Sequence, residues 1–295
     1  MVTSSNPSLP DFDSLWNYSK PSETEEKFRE LLPRAINSGD TGYQAELLTQ
    51  IARTLGLQRK FADADSVLDE VQEMLPRAGE QARARYLLER GRVRNSSGNP
   101  DKAQPFFEEA LEVAQKAALD DYAVDAAHML AIVAKGEAVM DWNLKALQLA
   151  EKSSEPEARR WLGSLYNNIG WTYFDMQKYD SALTLFEKAL AFRAEQGQPE
   201  QIRIAKWSVA KARRFLGQID EALSIQRELE KEWAQSGEEQ DGYVFEELAE
   251  CLLIKNDPAA ESYFALAYRY LSRDSWLAEN EPERLKRLKE LGKVE

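Results

Sequence analysis

Six positions in this chain, Ala64, Ala103, Val139, Ala182, Ala222 and Ala260, follow one another at intervals of 39, 36, 43, 40 and 38 residues. Apolar residues around each recur three or four apart, the spacing of one helix face. A unit of that size cannot bury its apolar face alone, so the chain must stack successive units on one another. The clearest unit runs from Leu165 to Leu190. Tyr166, Ile169, Gly170 and Tyr173 mark a first helix, residues 175–180 a break, and Ala182, Leu185, Phe186 and Ala189 a second helix. The small residues Gly170 and Ala182 let two antiparallel helices approach closely, and Asp180 is placed to N-cap the second.

The unit recurs with varying fidelity. Leu87, Gly91, Ala103, Phe107 and Ala110 form a good copy, with Gly98 in its turn. Leu48, Ile51, Ala52, Ala64, Leu68 and Val71 form another, and Val209, Ala210, Gly217, Ala222 and Leu229 a third. Phe245, Leu248, Ala249, Ala260, Phe264 and Ala267 form a fourth, and Ala126, Ala127, Leu130, Val139 and Ala146 a weak one. Asn99-Pro100 and Asp257-Pro258 each read as a capping side chain before a Pro at the first helical position.

The pattern Tyr166-x2-Ile169-Gly170-x2-Tyr173 followed by Ala182-x3-Phe186 and Ala189 resembles the tetratricopeptide repeat. The intervals exceed the usual ~34 residues of that repeat. They resemble the long variety found in kinesin light chains, cell-polarity adaptors and bacterial peptide-sensing regulators. The resemblance spans roughly residues 40–272 and implies an all-α fold, a right-handed α-solenoid of about six helical hairpins. Hairpins are expected at about 41–75, 79–118, 120–152, 156–196, 200–236 and 241–272. Capping helices are expected at about 23–38, bent near Pro33, and at about 281–291. Residues 1–20 read as an N-terminal arm, disordered over 1–10, and 21–295 as a single superhelix.

Bulk composition narrows the function. With 51 acidic against 38 basic residues and a formal net charge of −13, the chain lacks the basic footprint of nucleic-acid binding. One cysteine, Cys251, allows no internal disulfide, and the N-terminus has no basic and apolar leader, so a cytoplasmic location is expected. Apolar runs such as residues 129–134 are far too short to span a membrane. The sole histidine, His128, and Cys251 lie about three repeats apart, too far for a dyad. Ligands for zinc and glycine-rich phosphate loops are missing, so no cofactor and no enzymatic activity are expected.

In the family this chain resembles, first helices line the concave groove, which implies where a partner would bind. Beside the packing stripe of the best hairpin lie Asn167, Trp171 and Phe174, with Asn168 where many family members carry an asparagine. The next hairpin places Trp207, Lys211, Arg214 and Phe215 on that stripe, and the last Tyr243, Glu246 and Glu250. The N-terminal half offers Arg53, Arg85, Arg92 and Asn95, beside Asp121 and His128. Guanidinium groups suit carboxylate or phosphate oxygens, and aromatics suit binding hot spots. The expected ligand is an extended peptide with an acidic and an aromatic or aliphatic part. Two other readings stay open: Trp171 and Trp207 as inter-repeat core, and the arginines as partners of carboxylates such as Glu89 and Glu109. A chaperone-tail clamp is not expected, because Val124, His128, Ile204 and Ser208 depart from its pattern and only Asn168 fits. The resulting function is a non-enzymatic adaptor for a partner's peptide. A ligand sensor that changes pitch is the alternative, and an enzyme of unknown class comes last.

Overall fold

The structure, a computed structural model, describes residues 9–295, so the disorder expected over residues 1–10 lies, but for Leu9 and Pro10, outside the described residues. The chain divides into two compact units, Met1–Trp161 and Leu162–Glu295. The first holds a 3₁₀ turn at Asp13–Leu15, then α1 (Pro21–Ser38), α2 (Thr41–Leu57), α3 (Phe61–Ser96), α4 (Pro100–Lys116), α5 (Asp120–Val133), α6 (Ala138–Lys152) and the short α7 (Pro156–Arg159). Gly79, at φ 86° and ψ 170°, breaks α3 into the second helix of one hairpin and the first helix of the next. The second unit holds α8 (Leu162–Asp175), α9 (Tyr179–Gln196), α10 (Pro199–Phe215), α11 (Ile219–Ser236), α12 (Gly242–Ile254), α13 (Ala260–Leu271), α14 (Ser275–Asn280) and α15 (Pro282–Leu291). Within each unit the helices pack mainly on their chain neighbours, and no strand occurs among the described residues. The fold is an all-α solenoid of helical hairpins.

Three of the hairpins close around a fully buried phenylalanine on the second helix. Phe107, Phe186 and Phe264 each stand four residues after a buried alanine, at Ala103, Ala182 and Ala260. The facing first helix must make room for the ring. A Cβ on Gly170 would lie 2.5 Å from Phe186 Cε1, and one on Gly91 2.4 Å from Phe107 Cε1. Glycine stands at these two helix-interior positions because nothing larger fits under the ring.

The turns between paired helices use a different device from the N-caps that the sequence points to. Backbone N–H groups of Lys60, Asn99, Lys178, Gln218 and Asp257 donate to Leu55, Arg94, Tyr173, Arg213 and Leu252 carbonyls, each at 2.9 Å. This is the six-to-one bond of a Schellman close, and the residue before each donor takes positive φ: Arg59, Gly98, Gln177, Gly217 and Asn256. Asp180 is not an N-cap; Lys178 holds that place, and Asp180 sits in the first turn of α9. Asn99 precedes Pro100 as expected, but its amide donates to the Ser97 carbonyl instead of capping α4. Asp257 accepts from the Ala259 N–H, one turn ahead of α13.

Two predictions follow from this packing. Gly170→Ala gains about 1 kcal/mol of helix propensity but overpacks Phe186 at a cost of about 1–3 kcal/mol, and the loss shrinks in a Phe186→Leu background. Additive effects in a double-mutant cycle by urea unfolding would show that the ring is not what Gly170 accommodates. Gln226 occupies the phenylalanine position after Ala222, fully buried, with no hydrogen-bond partner among the described residues for either end of its amide. Gln226→Leu is expected to raise stability by about 1–3 kcal/mol in the same assay.

Candidate functional site on the first-helix faces

The arginines of the first unit are joined by a cross-repeat rule. Arg53 and Arg92 each directly follow the small residue of their first helix, Ala52 and Gly91. Glu89 and Asp125 stand two residues before the small residue of the next hairpin, Gly91 and Ala127. Adjacent first helices then bring cation and acid together. Arg53 donates to both Glu89 oxygens at 3.3 Å, and Arg92 donates to Glu89 at 2.6 Å and to both oxygens of Asp125. Burial opposes the charge on Arg92, but Asp125 and Glu89 outweigh it and hold its pKa above the ordinary value. These two guanidinium groups fasten one hairpin to the next. Beside them Arg53, Gly56, Glu89, Arg92, Ser96 and Met129 line a hollow of about 210 Å³, and Asn95 is half-buried in the last turn of α3.

Arg85 has a different partner, one that sequence reasoning missed. It donates to the Tyr122 hydroxyl at 2.7 Å and lies 3.3 Å from Glu46, and it also forms a two-point pair with Asp13. Residues 10–18 are therefore not a loose arm. They lie across α1, α2 and the second half of α3, with Phe12 buried against Phe28 and Tyr43. The Trp16 indole donates to Gln50 Oε1 at 3.0 Å, and the Tyr43 hydroxyl donates to the Pro10 carbonyl at 2.8 Å. The available signal was the density of apolar rings in a ten-residue stretch, Phe12, Trp16 and Tyr18.

His128 packs its ring 5.4 Å from Trp161, whose indole donates to Asp121. Burial, with Arg92 adding and Asp125 opposing, holds the His128 pKa below the ordinary imidazole value, so the ring is neutral at pH 7. Its Nδ1 is buried with no hydrogen-bond partner among the described residues.

In the second unit the singled-out side chains form a run of rings. Trp171 lies 5.7 Å from Trp207, which lies 6.0 Å from Tyr243, and Phe174 lies 4.8 Å from Phe215. Trp171 also touches Phe186, and the Trp207 indole donates to the Tyr243 carbonyl. Trp171, Phe174, Trp207 and Tyr243 are half-buried, joined to the core on one side and open on the other; Phe215 is exposed. Lys211 sits over Trp207, Arg214 over Phe215 and Arg284 over Tyr243. The cations are themselves paired: Lys211 and Arg214 share Glu247, at 3.0 and 2.7 Å, and Arg284 holds Glu246. Lys211 and Glu247 repeat the rule of the first unit, one after Ala210 and two before Ala249. Asn167 is half-buried and its amide reaches Asn168, which is exposed. Cys251 is fully buried on α12, and burial with Glu247 nearby pushes its thiol up to about 12, which leaves no thiolate at neutral pH.

Two family models, both of the tetratricopeptide repeat, match residues 84–116 and 162–195. These are the two hairpins built on the glycine–phenylalanine contacts. The chain carries tetratricopeptide repeats. Solved structures share the fold at low identity. The apo form of RapI aligns with a TM-score of 0.75 at 13% identity, over 96% of this chain and 80% of that one. A signal-transduction ATPase with numerous domains from Pyrococcus horikoshii, which carries a tetratricopeptide repeat sensor, aligns with a TM-score of 0.71 at 17% identity. That alignment covers 90% of this repeat protein but only 42% of the ATPase. BtubC (BKLC) from P. vanneervenii aligns with a TM-score of 0.58 at 18% identity, over 79% and 95% of the two chains. A comparison with curated proteins gives no match. No helix among the described residues is long and apolar enough to cross a membrane.

The ion pairs of the second unit make its stability pH-dependent. Burial works against the charge on Glu247, but Lys211 and Arg214 outweigh it and lower its pKa from the ordinary 4.5. A folded pKa below the unfolded one contributes stability that is present above about pH 4.5 and lost as pH falls through the folded value. Glu247→Gln is expected to cost about 3 kcal/mol at pH 7, because two cations lose their carboxylate. The difference from wild type in denaturant melts shrinks below pH 4.5. A constant difference from pH 7 to 3.5 would show that the charge of Glu247 is not what stabilises the unit.

Proposed function

We propose that this repeat protein is a non-enzymatic scaffold whose first-helix faces hold extended peptide segments of partner proteins. The observation that carries this reading is the run of rings in the second unit. Trp171, Phe174, Trp207 and Tyr243 pack one side on the core and leave the other open, so part of each ring is not used by the hairpins. Ile204 and Phe215 on α10 leave 50% and 42% of their surface open beside these rings. Rigid amphipathic rings give large contact area for little lost entropy, which is why they recur at binding hot spots. The neighbouring cations are neutralised by Glu246 and Glu247, so this face suits the aromatic or aliphatic part of a ligand. Separately, in the first unit, Arg85 suits an acidic segment, since a carboxylate already sits there.

A peptide-display library panned on the whole chain tests the scaffold. Sequences with aromatic or aliphatic anchors are expected to be enriched, and the enrichment is lost on Ile204→Ser/Phe215→Ser while the helical circular-dichroism signal at 25 °C stays that of wild type. Enrichment no greater than on an unrelated helical protein would overturn the reading.

A further inference from the structure

The segment from Pro10 to Tyr18 contacts the first-helix face of the first unit as a bound peptide would. It is anchored by side chains rather than by secondary structure of any length. The Phe12 ring is buried against Phe28 and Tyr43, with the Arg85 guanidinium 5.3 Å from its centre. Asp13 takes the Arg85 fork. Trp16 packs on Phe28, hydrogen-bonds Gln50 and stacks on Tyr18, and Tyr18 lies under Arg53 at 5.7 Å. Between the anchors the chain is open: Asp11, Ser14, Asn17 and Ser19 are exposed.

The receptor groups do not depend on this occupant for their positions. Arg85 keeps Tyr122 and Glu46 if Asp13 leaves, and Gln50 keeps Thr49. A face whose polar groups are held by their own neighbours is preorganised for a ligand. Arg53 and Arg92 are fastened to Glu89 and Asp125, so Arg85 is the arginine of this set that offers its fork to an incoming carboxylate.

In the scaffold reading, on which this inference rests, partners come to such faces as extended segments. We propose that the first unit is a receptor for a short pattern, an aromatic residue followed at once by an acidic one and, three residues after the acid, by a second aromatic. Phe12, Asp13 and Trp16 are its resident occupant, and a partner protein that presents the same pattern displaces them. The tether runs only from Tyr18 to α1 at Pro21, so the resident segment holds a high effective concentration and sets a threshold that weak partners do not cross.

A fluorescent peptide with the sequence of residues 9–20 tests this in polarisation titrations. It is expected to bind the Asp13→Ala/Trp16→Ala chain at least tenfold more tightly than wild type. Adding Arg85→Gln, or Asp13→Asn in the peptide, removes at least tenfold of that affinity. A scrambled peptide does not bind. Equal affinity for wild type and the released chain, or no binding to a released chain that melts normally, overturns the proposal. If the double variant does not fold, hydrogen exchange on the intact wild type decides. Millimolar peptide speeds exchange of residues 10–18 and leaves α2 protected, whereas unchanged exchange overturns the proposal. Library enrichment that still depends on Ile204 and Phe215 would leave the scaffold reading standing without the resident-ligand inference. Loss of that enrichment with displacement intact would remove only the aromatic face.

Discussion

The contact between a glycine on one helix and a phenylalanine ring on its partner sets the geometry on which the other features depend. At Gly170 and Gly91 the ring of Phe186 or Phe107 lies where a Cβ would stand, so the two helix axes come closer than ordinary side chains permit. That closeness fixes which stripe of the first helix is consumed by packing and which is left over. Residues directly after the small position, Arg53, Arg92 and Lys211, fall on the stripe left over. Their side chains then reach the next first helix rather than their own partner.

This explains why the charged residues do not form an open cationic patch. Arginine suits a carboxylate two-point pair, and the nearest carboxylates are those that the repeat itself places two residues before the next small position. Buried pairs of this kind add little net stability over apolar packing, but losing one member is costly, and they favour one register between successive hairpins over its neighbours. The arginines expected to await a ligand are thus divided. Arg53 and Arg92 serve the solenoid, and Arg85 reaches a segment from outside it.

The all-α repeat was legible because periodicity and the alternation of small and large residues are local and survive without a partner in view. The family resemblance rested on Gly170, Phe186 and their copies, and those residues make the deciding contacts. The turns were less legible. A Schellman close uses backbone groups, and residues as different as Gly98, Gln177 and Asn256 take the left-handed position. Asp180 therefore looked like a cap without being one. Arg53–Glu89 and Arg92–Asp125 join residues 36 and 33 apart, so the pairing shows only once successive repeats are aligned on their small residues. The stretch from residue 10 to 18 has neither the helix nor the strand period, so nothing in it marked Phe12 for burial or Trp16 for packing against α1 and α2.

Under the scaffold reading we propose, the two faces differ in what each would recognise, as follows from their side chains. In the second unit the rings are half-open and their cations neutralised, so discrimination there comes from shape and apolar area, which tolerates many sequences. In the first unit recognition turns on a guanidinium fork with a fixed geometry, flanked by rings, and a ligand without a carboxylate leaves that fork short of one partner. A site built to pair a buried polar group rejects a ligand lacking the match far more strongly than an apolar pocket rejects a methylene. In the proposed scaffold, selectivity would therefore belong to Arg85 and its surroundings, and adhesion to the aromatic run from Trp171 to Tyr243.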